Sequence, residues 1–181
     1  MKTTRRVLAF DEFGPLEIRP HHGVSWAGHQ QVKRLPATYK RPHGTRYLLA
    51  AYDLQADCLW GWQRPNQRWS QVLAFLKGVR RRYPAHIRLF IILDNRKSHK
   101  MRDVLTWVRQ HNIRLLYTPN YCSWLNPIEC QFTALRKFAL STRYFKNHIQ
   151  QGCAIQAYLR YRNRAKATPK VRHRDIRVNL S

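Results

Sequence analysis

The sequence predicts an α/β protein with a mixed five-stranded sheet and helices on both faces. Short apolar runs bounded by turn residues alternate with longer segments whose apolar residues recur every three or four positions. Three strands come first, then helix and strand alternate, and two helices close the chain, an order typical of a mixed sheet covered by helices. A length of 181 residues with 44% hydrophobic content predicts one domain with a substantial core.

The first three strands come from the N-terminal third of the chain. Residues 5–11 form the first strand, and the Phe-Gly-Pro-Leu segment at 13–16 predicts a turn after it. Residues 45–53 and 58–63 form a hairpin around the polar segment 54–57. The hairpin therefore supplies the second and third strands.

A long basic loop is predicted at residues 20–44, between the first strand and the hairpin. No Asp or Glu occurs from Ile18 to Tyr52, and several glycines and prolines interrupt any regular pattern. Loops of this length in compact domains are functional or mobile. We therefore expect this loop to contribute cationic side chains to a binding surface.

The rest of the chain alternates helices and strands. Residues 69–82 have helical spacing, and the apolar run at 87–93 is typical of a central strand covered on both faces. The other predicted elements are a helix at 100–111, a strand at 113–117, and helices at 127–140 and 149–164. A basic, loosely ordered tail is predicted at 166–181.

Charge is the main compositional signal for function. The chain has 34 Lys and Arg against 9 Asp and Glu, a formal net charge of +25. Such an excess predicts a polyanionic partner, nucleic acid before membrane, because no long amphipathic basic helix stands out. No apolar run is long enough to span a membrane, and no secretory signal segment is recognisable. Four scattered cysteines without a C-x-x-C pair argue against a zinc finger and predict a reduced, cytoplasmic protein.

Three acids stand where a metal site would be expected. Asp11 ends the first strand, Asp94 ends the apolar strand, and Glu129 lies at the start of a helix, with 34 residues between the last two. Carboxylate oxygens are the ligands that Mg²⁺ prefers. Three such groups could hold two ions about 4 Å apart, one activating water or a DNA 3′-hydroxyl and the other stabilising the leaving oxygen. Without ions the three carboxylates would repel one another.

Each acid also has a purely structural interpretation. Asp94 is followed by Asn, a pair that often makes a turn. Asn126 fits a helix N-cap with Glu129 at the third helical position, so Glu129 could serve the helix alone. Asp11 could face solvent at the strand end, with Glu12 on the opposite face of the sheet.

Five further residues have open or structural interpretations. Asp53 and Asp57 are interpreted as turn residues of the hairpin. His99, five residues after Asp94, could approach the metal site or tether the loop. Trp107 and Trp124 are interpreted as core residues rather than as platforms for stacking bases.

Four segments in order resemble the catalytic domain of bacterial insertion-sequence transposases. They are residues 11–16 (DEFGPL), 93–99 (LDNRKSH), 123–129 (SWLNPIE) and 132–140 (FTALRKFAL). The resemblance is to the IS630 branch of the mariner-like superfamily and runs from about residue 5 to residue 164.

The resemblance implies a ribonuclease-H-like fold and a DDE site, with Asp11, Asp94 and Glu129 as the catalytic and metal-binding acids. It implies an enzyme that cuts DNA at transposon ends and joins the 3′-hydroxyl to target DNA with two Mg²⁺ or Mn²⁺ ions, typically at TA dinucleotides. It also implies a dimer on DNA in the bacterial cytoplasm, associated with the nucleoid.

The chain departs from this family in two ways. Full-length relatives begin with helix-turn-helix modules, whereas residues 1–165 here correspond to the catalytic domain alone. Those modules would be a separately encoded polypeptide, or the chain would be a remnant that only binds DNA; a nuclease without joining activity is a third hypothesis. Arg96 and Lys97 also occupy positions that are less basic in relatives, and phosphate contact is the hypothesis for them.

Overall fold

The computed structural model describes residues 4–18, 43–120, 122–141 and 143–164. The strands are β1 (Arg5–Glu17), β2 (Thr45–Asp53), β3 (Cys58–Arg64), β4 (Arg88–Leu93) and β5 (Ile113–Tyr117). The α-helices are α1 (Trp69–Arg80), α2 (Arg102–Gln110), α3 (Glu129–Leu135) and α4 (His148–Arg164). Short 3-10 helices span Lys97–Lys100 and Ser123–Leu125, and a π-helical turn at Arg136–Leu140 follows α3.

The strands form one mixed sheet in the order β3-β2-β1-β4-β5. β1 pairs antiparallel with β2, and β2 with β3, whereas β1 pairs parallel with β4, and β4 with β5. The parallel β1–β4 ladder ends at the pair Ala9 and Ile92. Asp11 and Asp94 each lie two residues beyond that pair, so the register places the two acids side by side.

Helices pack on both faces of the sheet, as the sequence predicts. Leu8 and Phe10 join a core with α1 and α2, whereas Ala9 joins a core with α3 and α4. This division follows from the alternation of side chains along a strand. The same alternation directs Asp11 toward α3 and Glu12 toward the α1 and α2 side.

The turn predicted at residues 13–16 is wrong. β1 continues to Glu17, with a register irregularity between Phe13 and Leu16 against β2. Gly14 has φ +156°, and a Cβ there would lie 2.8 Å from the Tyr47 ring. Glycine therefore permits a bulge in a strand that keeps pairing beyond it.

Helix bounds and one aromatic residue also differ from expectation. The helix predicted at 127–140 is divided into α3 and the π-helical turn, and the one predicted at 100–111 starts at Arg102. Trp124 is 66% exposed, so its assignment to the core is wrong, whereas Trp107 packs against the α1–α2 core. Trp124 lies in a 3-10 turn, where helical periodicity cannot be used to infer a buried face.

Residues 20–42 of the predicted basic loop and the whole tail at 166–181 lie outside the described residues. Within the described part of the chain, no helix is long and apolar enough to cross a membrane.

Candidate active site

Asp11 lies almost buried in β1, with 8% of its surface exposed. Its Oδ1 accepts a hydrogen bond from the backbone N–H of Glu12 at 2.7 Å. The buried Asn126 amide donates to the carbonyl of Phe10 at 2.9 Å and approaches Asp11 Oδ2 at 3.4 Å. Asn126 therefore ties the segment before α3 to β1, and the solvent-facing interpretation of Asp11 is wrong.

Glu129 is the first residue of α3, and its carboxyl group shares a hydrogen bond with Asp11. Asn126 Oδ1 accepts a long hydrogen bond from the backbone N–H of Ile128 at 3.5 Å, and the Asn126 carbonyl accepts from the N–H of Glu129 at 3.1 Å, so Asn126 keeps a capping contact in the turn before α3. Burial raises the pKa of Glu129, and the charge of Asp94 raises it further, while the hydrogen bond with Asp11 opposes the shift. The three predicted acids, from β1, the end of β4 and the start of α3, thus lie near enough to shift one another's pKa.

The electrostatics of Asp11 show how crowded this cluster is. Burial raises the pKa of Asp11 to about 7, and the neighbouring charges of Glu129, Glu12 and Asp94 add to the rise. The backbone hydrogen bond from Glu12 acts in the opposite direction. Ionising all of the acids is therefore costly unless a cation joins them.

Asp94 has a partner on each carboxylate oxygen. His99 Nδ1 lies 2.9 Å from Oδ1, and Arg96 Nε lies 3.1 Å from Oδ2. Burial acts to raise the pKa of Asp94, but the hydrogen bond and charge of His99, with help from Arg96, hold it below its usual range. The backbone N–H of Arg96 also donates to Oδ1 at 3.3 Å, so the turn interpretation of Asp94 holds as well.

His99 is fully buried and links two carboxylates. Its Nε2 lies 2.9 Å from Glu12 Oε1, and its ring packs edge-on against Phe10. Burial acts to lower the pKa of His99, but the hydrogen bonds to Asp94 and Glu12 raise it to about 9. His99 therefore tethers the loop, as one of its two interpretations predicts, and it does so through direct contact with Asp94, one of the acids predicted to bind metal.

Glu12 is the site residue that sequence reasoning missed. One ligand atom each from Glu12, Asp94 and His99 lies within 4.8 Å of the other two, a spacing that could hold a metal ion. The two nitrogens of His99 already lie at hydrogen-bond distance from the two acids, so hydrogen bonds through the imidazole ring hold the three side chains together. The available signal was strand alternation, which buries Glu12 on the face that carries Leu8 and Phe10.

The raised pKa of His99 predicts a pH-dependent stability of the metal-free protein. A group whose pKa is higher in the folded than in the unfolded state stabilises the fold when it is protonated. For His99 this stabilisation is complete below the unfolded-state pKa near 6.5 and is lost as the pH rises through about 9. We expect the free energy of unfolding to fall by on the order of 3 kcal/mol across that window. Chemical denaturation in EDTA at several pH values would measure this. His99→Gln should flatten the dependence, and an equally steep curve in that variant would contradict the assignment.

The competing acids of the hairpin are structural, as the sequence predicts. Asp53 Oδ1 accepts hydrogen bonds from the backbone N–H groups of Gln55 and Ala56, each at 2.9 Å. Asp57 Oδ1 lies 2.6 Å from an Arg162 nitrogen, which fastens α4 to the hairpin. Both residues therefore serve the turn and its packing.

Comparison with protein families decides the class of this site. The model of the DDE superfamily endonucleases matches residues 6–150. The chain belongs to this family. The matched segment includes Asp11, Asp94 and Glu129, the three acids that the motifs singled out.

A curated relative supports the same branch of the DDE family. The chain is 26% identical over 124 residues to the insertion element IS630 uncharacterized 39 kDa protein of Shigella sonnei, covering 66% of the chain and 35% of that protein. This similarity agrees with the resemblance of the motifs to the IS630 branch. The chain spans about a third of the length of this relative.

Solved structures confirm the ribonuclease-H-like fold. The Mos1 mariner paired-end complex with Mn matches with a TM-score of 0.68 and 18% identity over 96% of this chain and 52% of that one. The Mos1 strand transfer complex matches with a TM-score of 0.65 and 16% identity, over 98% and 51%. A simian T-cell lymphotropic virus intasome matches with a TM-score of 0.56 and 9% identity, over 83% and 47%. The DDE domain spans about half of each of these chains.

Proposed function

We propose that this DDE domain is the catalytic core of a transposase that cuts DNA at transposon ends and joins the freed 3′-hydroxyl to target DNA. The observation that carries the proposal is the convergence of Asp11, Asp94 and Glu129 at one edge of the sheet. Family membership supports the reaction class, and the Mos1 strand transfer and paired-end complexes are likenesses of the fold.

Asp11, Asp94 and Glu129 would hold two Mg²⁺ or Mn²⁺ ions. The donor set fits, because all three groups offer carboxylate oxygens. The pKa of Asp11 is raised first by burial and then by the neighbouring acids, and a bound cation would favour its ionised form. Bound ions would activate water or a 3′-hydroxyl and stabilise the leaving oxygen. Mos1 complexes have been solved with Mn and with Mg.

The other residues of the site would orient these acids. Asn126 holds the segment before α3 against β1 and thereby sets the distance between Asp11 and Glu129. His99 holds Asp94 Oδ1 and is itself held by Glu12. Such support matters because small displacements of catalytic groups cost large factors in rate.

DNA would be the partner, bound as a dimer that pairs two transposon ends in the bacterial nucleoid. The formal net charge of +25 supports phosphate contacts that do not depend on sequence. Residues 1–165 would form the catalytic domain, the basic segments at 20–44 and 166–181 would add cations, and a separately encoded helix-turn-helix polypeptide would recognise the ends.

Strand transfer on a pre-nicked transposon end tests the proposal. Pre-nicking exposes the 3′-hydroxyl, and the assay would use Mg²⁺ or Mn²⁺, with and without the helix-turn-helix polypeptide. We expect a joined product that disappears with Glu129→Ala. Cutting without joining would indicate a nuclease, and DNA binding without either product, with and without that polypeptide, would indicate a remnant that only binds DNA.

A further inference from the structure

Arg96 is one of the two basic residues that distinguish the loop after Asp94. It lies immediately before the 3-10 helix Lys97–Lys100, and its side chain is 43% exposed. It therefore stands at the open side of the acid cluster, where solvent and ligands have access.

The guanidinium of Arg96 connects two acids from two strands. Its Nε lies 3.1 Å from Asp94 Oδ2, and one terminal nitrogen lies 3.3 Å from Glu12 Oε2. The same terminal nitrogen donates to Gln67 Oε1 at 2.7 Å. Arg96 thus places a positive charge directly among the carboxylates.

The two oxygens of Asp94 differ in what holds them. Oδ1 contacts His99, which is fully buried and itself held by Glu12, so this contact is fixed by packing. Oδ2 contacts Arg96, which is partly exposed and has room to move. A divalent cation that binds Asp94 through Oδ2 therefore competes with the guanidinium for the same oxygen and meets its positive charge at close range.

If the Arg96 side chain moved away, Glu12 would still have a hydrogen-bonding partner. Glu12 keeps its contact with the buried His99, whose Nε2 lies 2.9 Å from Glu12 Oε1. A partly exposed ion pair also contributes little net free energy, so an incoming divalent ion can displace it.

We propose that Arg96 is a placeholder cation that occupies the metal-binding face of Asp94 and yields it when a divalent ion binds. The inference rests on the proposed metal role of Asp94. Arg96 is then a positioning residue that keeps Asp94 and Glu12 aligned without the metal, at the cost of competing with it. If Arg96 only supported the structure of the site, its removal would weaken metal binding.

Mn²⁺ binding to the full chain separates these possibilities without relying on activity. Free Mn²⁺ would be measured by electron paramagnetic resonance for the wild type, Arg96→Gln, Arg96→Lys, Asp94→Asn and Lys97→Gln. Lys97→Gln is the matched control, since it removes the same charge from the adjacent residue. We expect Arg96→Gln to bind Mn²⁺ roughly two- to fivefold more tightly than Lys97→Gln, the factor that corresponds to an exposed ion pair.

Arg96→Lys should bind more weakly than Arg96→Gln, because it keeps a competing positive charge. In EDTA, Arg96→Gln should melt no higher than the wild type, while its melting temperature should rise more on addition of Mn²⁺. Equal or weaker binding by Arg96→Gln relative to Lys97→Gln overturns the placeholder role. Binding that Asp94→Asn leaves unchanged, or no binding by any variant, overturns instead the metal role of Asp94 on which the inference rests.

Discussion

Replacing Asp11 with Asn is expected to abolish metal-dependent DNA cutting and, at the same time, to stabilise the metal-free domain. The loss of activity should be at least about 10³-fold, since a metal ion contributes several kcal/mol to the stabilisation of such a transition state. The gain in stability follows from the pKa of Asp11, which burial and the neighbouring acids raise to about 7. At pH 8 the folded state carries a carboxylate that it disfavours, and Asn removes this cost, on the order of 3 kcal/mol.

Asn can also replace the protonated form of Asp11, losing only the long 3.4 Å contact from the Asn126 amide to Oδ2. Its oxygen can accept from the backbone of Glu12, and its amide can donate to Glu129 in place of the carboxyl proton. Thermal denaturation at pH 8 in EDTA, together with a cleavage assay, would measure both effects. The site assignment fails if Asp11→Asn still cuts DNA, and the electrostatic argument fails if that variant melts below the wild type.

Asp94→Asn provides the contrasting case. Despite its burial, the pKa of Asp94 is held low by His99 and Arg96, so its ionised form stabilises the fold. Its replacement should remove cutting and also lower stability, the reverse of Asp11→Asn. Asp103, an exposed acid in the first turn of α2, supplies the control, since Asp103→Asn should leave cutting unchanged.

DNA affinity is expected to fall steeply with salt. Each phosphate neutralised by Lys or Arg adds about −0.9 to the slope of log affinity against log salt on duplex DNA. The formal net charge is +25. For a footprint of about six to ten phosphates, we expect a loss of roughly 10³ to 10⁵ in affinity between 50 and 200 mM salt.

Fluorescence anisotropy of a labelled duplex in EDTA, over a series of salt concentrations, would measure this slope. Asp94→Asn should show the same slope as the wild type, because it removes no cation. A nearly flat profile would exclude phosphate contacts as the source of binding.

Elements with a clear local pattern could be predicted from the sequence. The hairpin strand Thr45–Asp53 and the edge strand Ile113–Tyr117 have the predicted bounds, because alternation, apolar runs and turn residues are local properties. The motifs also sufficed to single out Asp11, Asp94 and Glu129 and to indicate the DDE family. The prediction failed where the local sequence is ambiguous. Gly14 and Pro15 favour a turn, but β1 pairs with β2 on both sides of them, so the strand continues to Glu17.

The partners of these acids were decided only by the tertiary structure. Glu12 and His99 are 87 positions apart, and their contact depends on the register of β1 against β4, which no local pattern specifies. The pKa values of Asp11 and His99 likewise depend on burial among groups from distant segments. Sequence by itself determined which residues could perform metal chemistry. Only the packing of β1, β4 and α3 decided how they are charged and held, because desolvation and Coulomb interactions depend on distance in space and not on position along the chain.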